Sequence, residues 1–246
     1  MGSSIILFRD SNIYTIANLC KIRRVIIMNL GIVIPYYRNS NKCEENFKLL
    51  MSVLEKDLKL LTDDVLLVVV EDGQCSGWLE NYKSDNIVVI SSLINNGVSY
   101  ARNVGLDYCI EIGCDYILFL DSDDMIDSNY IRKILNEIGY DDIYDINFFV
   151  NDTLKEYRVS NNTRSSVCGL VFKADLIGTL RFKENIQYGE DKMFINQLIE
   201  RNKDNISYGY VNTNYYYNYG SNLNSLCMRY LRHEIGIERS DDNEMS

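Results

Sequence analysis

Three short stretches of this chain are apolar without a break. Residues 30–35 read L-G-I-V-I-P, residues 65–70 read V-L-L-V-V-V and residues 116–120 read Y-I-L-F-L. A strand with one wet face alternates apolar and polar residues, whereas a strand covered on both faces does not. Between these runs the period changes. Phe47, Leu50, Met51, Leu54, Leu58 and Leu61 recur at helical spacing over residues 41–61. A second helix begins near Gly97 and carries Val98, Ala101, Leu106, Cys109 and Ile110, with Gly113 as its stop. A third covers 128–138, with Ile131, Ile134, Leu135 and Ile138 on one face. A shorter strand is predicted over 87–90. Strand alternating with helix predicts an α/β fold, a mainly parallel twisted sheet with right-handed crossovers and helices on both faces.

The second half reads differently. Residues 143–150 and 153–159 look like two strands around Asn151-Asp152, a hairpin candidate. A further strand is predicted over 167–172 and a helix over 190–201. Residues 206–219 are tyrosine-rich and predict strand or loop. Most of these tyrosines are expected to pack a strand. A minority is expected to form a wall facing a sugar or acceptor, since tyrosine offers an apolar ring with a polar tip. The expected organisation is a core over 28–226, divided into halves 28–127 and 128–226. An extension over 1–27 is expected outside the core, and an acidic tail over 227–246.

Charge narrows the function. The formal net charge is −10, which disfavours sequence-independent binding to nucleic acid, where basic phosphate contacts supply the affinity. The seven cysteines form no C-x-x-C pair and no metal-ligand spacing, as expected of reduced thiols in a cytosol-like compartment. The single histidine, His233, lies near the tail, which argues against histidine catalysis. In residues 1–27 charged residues interrupt the apolar runs, so no transmembrane segment is read there. A cytoplasmic location is expected, with weak association at the inner membrane face as the alternative.

The chemistry concentrates where strands end. The run at 116–120 stops in Asp121-Ser122-Asp123-Asp124, and such acids repel one another unless a cation or donor groups sit between them. The carboxyl ends of strands are where open α/β sheets place ligands. The plain alternative is a solvated turn capping the next helix, a cap that Asp127 or Ser128 would supply. Asp72-Gly73 after the second run also reads as ordinary turn chemistry.

Four segments in order resemble the family 2 glycosyltransferases of the GT-A fold, over about residues 28–226. They are Gly31-Ile32-Val33-Ile34-Pro35-Tyr36-Tyr37-Arg38, then Val68-Val69-Val70-Glu71-Asp72-Gly73. Asn96-Gly97-Val98-Ser99-Tyr100-Ala101-Arg102-Asn103-Val104-Gly105 with Asp121-Ser122-Asp123-Asp124 comes next, and Gly189-Glu190-Asp191 is last. The resemblance implies a GT-A sheet with a smaller mixed acceptor-side region. It implies a nucleotide-sugar donor, with a UDP-sugar favoured, contacted by Pro35, Tyr37, Asp72, Asn96, Arg102, Asp121 and Asp123. Asp72 would accept from the base. Asp123, with Asp121, would hold Mn²⁺ or Mg²⁺, hard cations that keep oxygen ligands and bridge phosphates. Asp191, with Glu190 beside it, would be the base that deprotonates an acceptor hydroxyl on a saccharide or glycoconjugate. One in-line displacement would invert the anomeric centre. A nucleic acid acceptor is disfavoured by the charge.

Plain readings stand beside these. The lesser reading of Arg102 is a helix-surface arginine, and that of Glu190 and Asp191 is acids favoured at a helix N-terminus. Glu71 and Gln74 depart from the aspartate and serine usual in the family's turn. Two other classes stay open, a nucleotidyltransferase-like enzyme and a non-catalytic sugar-nucleotide binder. The first lacks its glycine-rich loop, since Pro35-Tyr36-Tyr37-Arg38-Asn39-Ser40 follows the first run. The Gln-x-x-Arg-Trp motif of processive synthases is missing, as Trp78 is the only tryptophan, so single addition is expected.

Overall fold

The computed structural model describes residues 6–7, 29–61, 64–73, 75–82, 84–150, 153–186, 188–203 and 205–217. Its elements run β1 (Ile6–Leu7), β2 (Leu30–Tyr36), α1 (Asn41–Leu58), β3 (Val65–Asp72), a 3-10 helix (Gly77–Tyr82), β4 (Ile87–Ser92), α2 (Val98–Ile112), β5 (Tyr116–Phe119) and β6 (Met125–Ile126). There follow α3 (Tyr130–Glu137), β7 (Ile143–Val150), β8 (Thr153–Lys155), β9 (Leu170–Lys173), α4 (Ala174–Ile177), α5 (Glu190–Arg201) and β10 (Tyr208–Tyr217). One sheet takes the order β1-β4-β3-β2-β5-β9-β7-β10-β6, with β8 paired to β7. Strands β4, β3, β2 and β5 pair in parallel. The pairs of β9 with β5 and β7, and of β6 with β10, are antiparallel. The expected α/β architecture, parallel first and mixed afterwards, is the one observed, and the sheet runs unbroken from one half to the other.

Side-chain parity shows how helices cover both faces. Tyr36 and Phe47 bring β2 against α1, with ring centroids 4.4 Å apart. The alternate residues of β2 face α2, and there the fit is tight. A Cβ on Gly105 would lie 2.4 Å from Val33 Cγ1, and one on Gly31 would lie 2.7 Å from Cys109 Sγ. These two glycines let α2 lie close on the sheet. On the same face a cluster of rings joins Phe194 of α5 to Phe119, Phe172 and Phe182, the last stacked at 4.2 Å.

Several element ends differ from expectation, each for a local reason. The strand expected to stop at Pro35 continues through it to Tyr36, because β3 still pairs there, Pro35 opposite Val70. Across the other edge, β5 ends with Phe119 opposite Val33, and the Leu120 N–H closes on the Val33 carbonyl at 3.1 Å. Two residues on, Pro35 has no N–H with which to extend that ladder. The first helix ends at Leu58 rather than 61. Strand β8 stops at Lys155 rather than 159, since Val159 N–H turns to the Asp145 carboxylate at 3.3 Å. Strand β9 begins at Leu170, after the positive-φ residue Gly169. The cap expected from Asp127 or Ser128 comes instead from α1, where the Asp57 carboxylate accepts from Asn129 N–H at 3.0 Å and Ile131 N–H at 3.1 Å.

Within the stretch 1–27, Ile6 pairs beside Ile90 and Leu7 beside Ser91 at the sheet edge. The remaining residues up to 28, Asn151-Asp152 of the expected hairpin, and 218–246, which include the expected acidic tail, lie outside the described residues. Among the described residues no helix is long and apolar enough to cross a membrane.

Candidate active site

Six of the sequence-predicted residues, Asp72, Asn96, Arg102, Asp121, Glu190 and Asp191, gather into two groups by the edge formed by the carboxyl ends of β2, β3 and β5. Helix α2 connects them. At its entry, Asp72 at the end of β3 accepts from Asn96 N–H at 2.9 Å and from Gly97 N–H at 2.7 Å. The Asn96 amide reaches back to the Ile94 carbonyl at 2.8 Å and the Ser92 hydroxyl at 3.2 Å. Gly97 has φ of 95°, a left-handed value that suits glycine, and it starts α2 without a side-chain cap. Burial raises the Asp72 carboxyl above the usual range, and the Asn96 and Gly97 N–H groups work against that rise. The neighbouring Glu71 is buried and held by Ser76 N–H and the Ser91 hydroxyl, each at 2.7 Å. It shapes the turn from beneath.

The second group centres on Arg102, one turn into α2. It is 2 % exposed, which excludes the helix-surface reading. Its Nη2 donates to Asp121 Oδ1 at 2.9 Å, and its Nη1 to Glu190 Oε1 at 3.1 Å and Asp191 Oδ1 at 2.5 Å. One guanidinium therefore ties the carboxylate after β5 to the two acids that open α5. The guanidinium carbon lies over Phe182, 5.4 Å from the ring centroid. Burial opposes the arginine charge, but Asp191 and Asp121 outweigh it and hold the group fully cationic.

Asp191 sits in the second position of α5, which Gly189 enters at φ 92°. Beyond Arg102, its Oδ2 accepts from Val167 N–H at 3.1 Å and the Ser166 hydroxyl at 3.2 Å. Burial is the largest influence and pushes its carboxyl up to about 7, against the pull of Arg102 and with a further push from Glu190. A carboxylate near neutrality, fixed on three sides, has the properties of a general base.

Asp123 is half-buried in the turn after β5, which closes through Asp124 N–H to the Asp121 carbonyl at 3.2 Å. The buried Asp124 accepts from the Tyr215 hydroxyl of β10. Pro35 is the last but one residue of β2, and Tyr37 just beyond the strand is 47 % exposed, its carbonyl receiving the Cys43 thiol at 3.4 Å. Neither Pro35 nor Tyr37 joins the Arg102 group. Asp123, also outside the Arg102 bridge, shares its turn with Asp121.

Four supporting residues escaped the sequence reading. Ser166 and Val167 hold Asp191 from 25 and 24 residues away, and nothing in their local pattern marks them. Tyr215 anchors the acid turn from the far end of the chain. Asn103 had a signal, standing beside Arg102 in the quoted segment. Its amide clamps the Phe182 backbone at both ends, at 2.8 and 2.9 Å, and so seats the ring beneath Arg102.

Comparison with known proteins follows the same lines. No curated protein sequence matches the chain. Among solved structures, TarS 1–349 of S. aureus in complex with UDP-GlcNAc aligns with a TM-score of 0.62 at 19 % identity, covering 77 % of this chain and 58 % of that one. The same protein in complex with UDP gives 0.61 at 19 %, covering 77 % and 60 %. A further TarS structure gives 0.60 at 20 %, covering 77 % and 36 %. The chain thus spans less than two thirds of the TarS chains it resembles, and at these identities the likeness is one of fold. The model of glycosyl transferase family 2 matches residues 32–201, from β2 through the end of α5. The Asp72 loop and the Arg102 bridge both lie inside that span, and the chain belongs to glycosyl transferase family 2.

Proposed function

We propose that the chain transfers one sugar from a nucleotide-sugar, with UDP the favoured nucleotide, to a hydroxyl of a saccharide or glycoconjugate, with inversion at the anomeric carbon. The observation that carries this reading is the Arg102 bridge. It sets the carboxylate of the acid turn and the proposed base within reach of one guanidinium. A donor lying along the acid turn would then present its anomeric carbon toward α5. The choice of UDP draws support from TarS, whose structures hold UDP and UDP-GlcNAc.

In the proposed step Asp191 takes the proton of the acceptor hydroxyl. The acceptor oxygen forms a bond to the anomeric carbon from the face opposite the diphosphate. The bond from that carbon to the diphosphate oxygen breaks, and its electron pair leaves with the diphosphate. Arg102 fixes the direction of Asp191, and Ser166 and Val167 hold its second oxygen. Asp72 orders the loop against which the base and ribose would lie.

The donor set suits a hard divalent cation. Among the described residues no group of three or more His, Cys, Asp or Glu side chains is placed to hold a metal ion by itself. One or two carboxylates, Asp123 with Asp121, are what Mn²⁺ or Mg²⁺ needs when phosphates and water complete the shell. When bound there, such an ion neutralises charge on the departing diphosphate.

A thermal-shift panel of UDP-, GDP-, CMP- and dTDP-sugars with and without Mn²⁺ tests the proposal. A ligand at a hundredfold its dissociation constant adds about 2.7 kcal/mol of stability. UDP-sugar with Mn²⁺ should stabilise more than either alone, and Asp123→Ala should remove that synergy. Undiminished UDP binding in excess EDTA contradicts the metal assignment. A panel with no stabilising nucleotide contradicts the transferase reading itself.

A further inference from the structure

The sheet face that carries the arginine bridge continues past α5 onto β7 and β10. Register fixes which residues share it. Ile117, Phe172 and Ile143 are direct neighbours across β5, β9 and β7, and Phe194 of α5 packs on Phe172. Two-residue steps along β7 from Ile143 reach Asn147 and Phe149, which stand opposite Asn214 and Tyr216 of β10. These four therefore lie on the face of α5, whose first turn holds Asp191. Both β5 and β7 run antiparallel to β9, and β10 runs with β7. Their carboxyl ends open on one edge, the edge of the acid turn.

The chemistry of this strip is unusual for a solvated sheet face. In a chain with 24 % charged residues, positions 147, 149, 210, 212, 214 and 216 hold three asparagines, two tyrosines and a phenylalanine. The opposite face, with Ile146, Phe148, Val211 and Tyr215, is buried and supplies the core packing. The polar side chains form one chain of hydrogen bonds. The Tyr210 hydroxyl donates to Asn147 Oδ1 at 2.5 Å, and Asn147 Nδ2 donates to Asn214 Oδ1 at 3.0 Å and Asn212 Oδ1 at 3.3 Å. Asn214 Nδ2 reaches the Tyr216 hydroxyl at 3.3 Å, which donates to Asp127 Oδ1 at 3.0 Å. A register shift in β10 between Val211 and Asn214 brings both Asn212 and Asn214 to Asn147. Tyr210 is 46 % exposed, and the rings of Phe149 and Tyr216 lie 5.1 Å apart. Asp127 stands three residues beyond Asp124, so the strip leads back to the acid turn.

Amides and phenols both donate and accept, as sugar hydroxyls do. Aromatic rings offer flat apolar surface to the C–H faces of pyranose rings. A phosphate- or sulfate-bearing polymer asks instead for several arginine and lysine forks. These six positions hold none, Asp145 stands opposite Tyr210 on the same face, and the guanidinium of Arg158 beside them lies over the Tyr210 ring, 5.0 Å from its centroid. We propose that this strip is the platform on which the acceptor lies, and that the acceptor is an uncharged oligosaccharide. The inference rests on the transferase reading above and adds to it the class and seat of the acceptor.

The test uses the full chain on a printed array of uncharged and of sulfated or phosphorylated oligosaccharides. UDP binding with Mn²⁺, measured by calorimetry, is the control. Uncharged glycans should be retained, and Asn147→Ala and Tyr210→Ala should each weaken that retention at least tenfold while UDP affinity stays within twofold. Retention of only charged glycans, no retention at all, or retention unaltered by both variants overturns the acceptor platform. Failure of UDP to bind overturns the transferase reading instead, so the two failures are distinguishable.

Discussion

Asp191 is pushed up to about 7 mainly by burial, and Arg102 is the largest restraint on the rise, with the Val167 N–H a smaller one. The base form is the ionised one, so kcat/KM for transfer should rise with pH through about 7. Weakening the restraint raises the value further. Arg102→Lys keeps a charge but loses the fork, and should move the acid limb of the profile upward. Arg102→Gln should move it further still. An acid limb unmoved in both variants means that Arg102 does not tune the base. Asp72 poses a different question at the same scale. Its carboxylate already holds the Asn96 and Gly97 N–H groups, so a general loss of nucleotide affinity in Asp72→Asn says only that the loop has loosened. Reading the base has a sharper signature, because uracil offers an N–H donor where cytosine offers an acceptor. Asp72→Asn should lower the preference for UDP over CDP about tenfold by calorimetry. An unchanged ratio reduces Asp72 to a loop anchor.

At the scale of elements, α2 links the Asp72 loop to the Arg102 bridge, and its seat depends on Gly105. A Cβ there would sit 2.4 Å from Val33 Cγ1 and 3.3 Å from Val70 Cγ2. Gly105→Ala should cost about 1–3 kcal/mol through overpacking, more than the gain in helix propensity returns. Because Arg102 rides on the same helix, transfer should fall as well. A denaturation midpoint at or above that of the parent chain would contradict this seat. Helices α2 and α5 were legible in the sequence because their starts carry glycine and their apolar residues recur at helical spacing. The parallel strands were legible because both their faces are buried. The short β6 and α4 were not, since two to four residues carry no period. The α3 cap was misread because Asp57 lies 72 and 74 residues from the amides it holds. The same limit applies to the site. Each acid was visible at the end of a strand or the start of a helix, but the contact of Arg102 with Asp191, 89 residues away, has no local signature.

At the scale of the whole molecule, the sheet places two chemistries on one edge. The parallel half ends in the Asp72 loop and the acid turn, and the mixed half delivers α5 and the β7–β10 face. A chain with net charge −10 would meet an anionic donor against its own charge, and the buried Arg102 of the site is already committed to carboxylates. Divalent ions at the acid turn should therefore matter more to donor binding than surface charge, so donor affinity should depend on Mn²⁺ far more than on moderate changes in NaCl. Asp191 is proposed to act in the chemistry and not in donor binding. A positioned base contributes about 10²–10⁴-fold to rate, and Asp191→Asn preserves shape while removing the proton acceptor. The decisive measurement sets the rate of UDP-sugar turnover with Mn²⁺ beside calorimetric UDP affinity, in the parent chain and in Asp191→Asn. Near-normal affinity with turnover lowered about a hundredfold or more, and an inverted anomeric product in the parent by NMR coupling constants, is the predicted result. Undiminished turnover in Asp191→Asn, or a product of retained configuration, would contradict it.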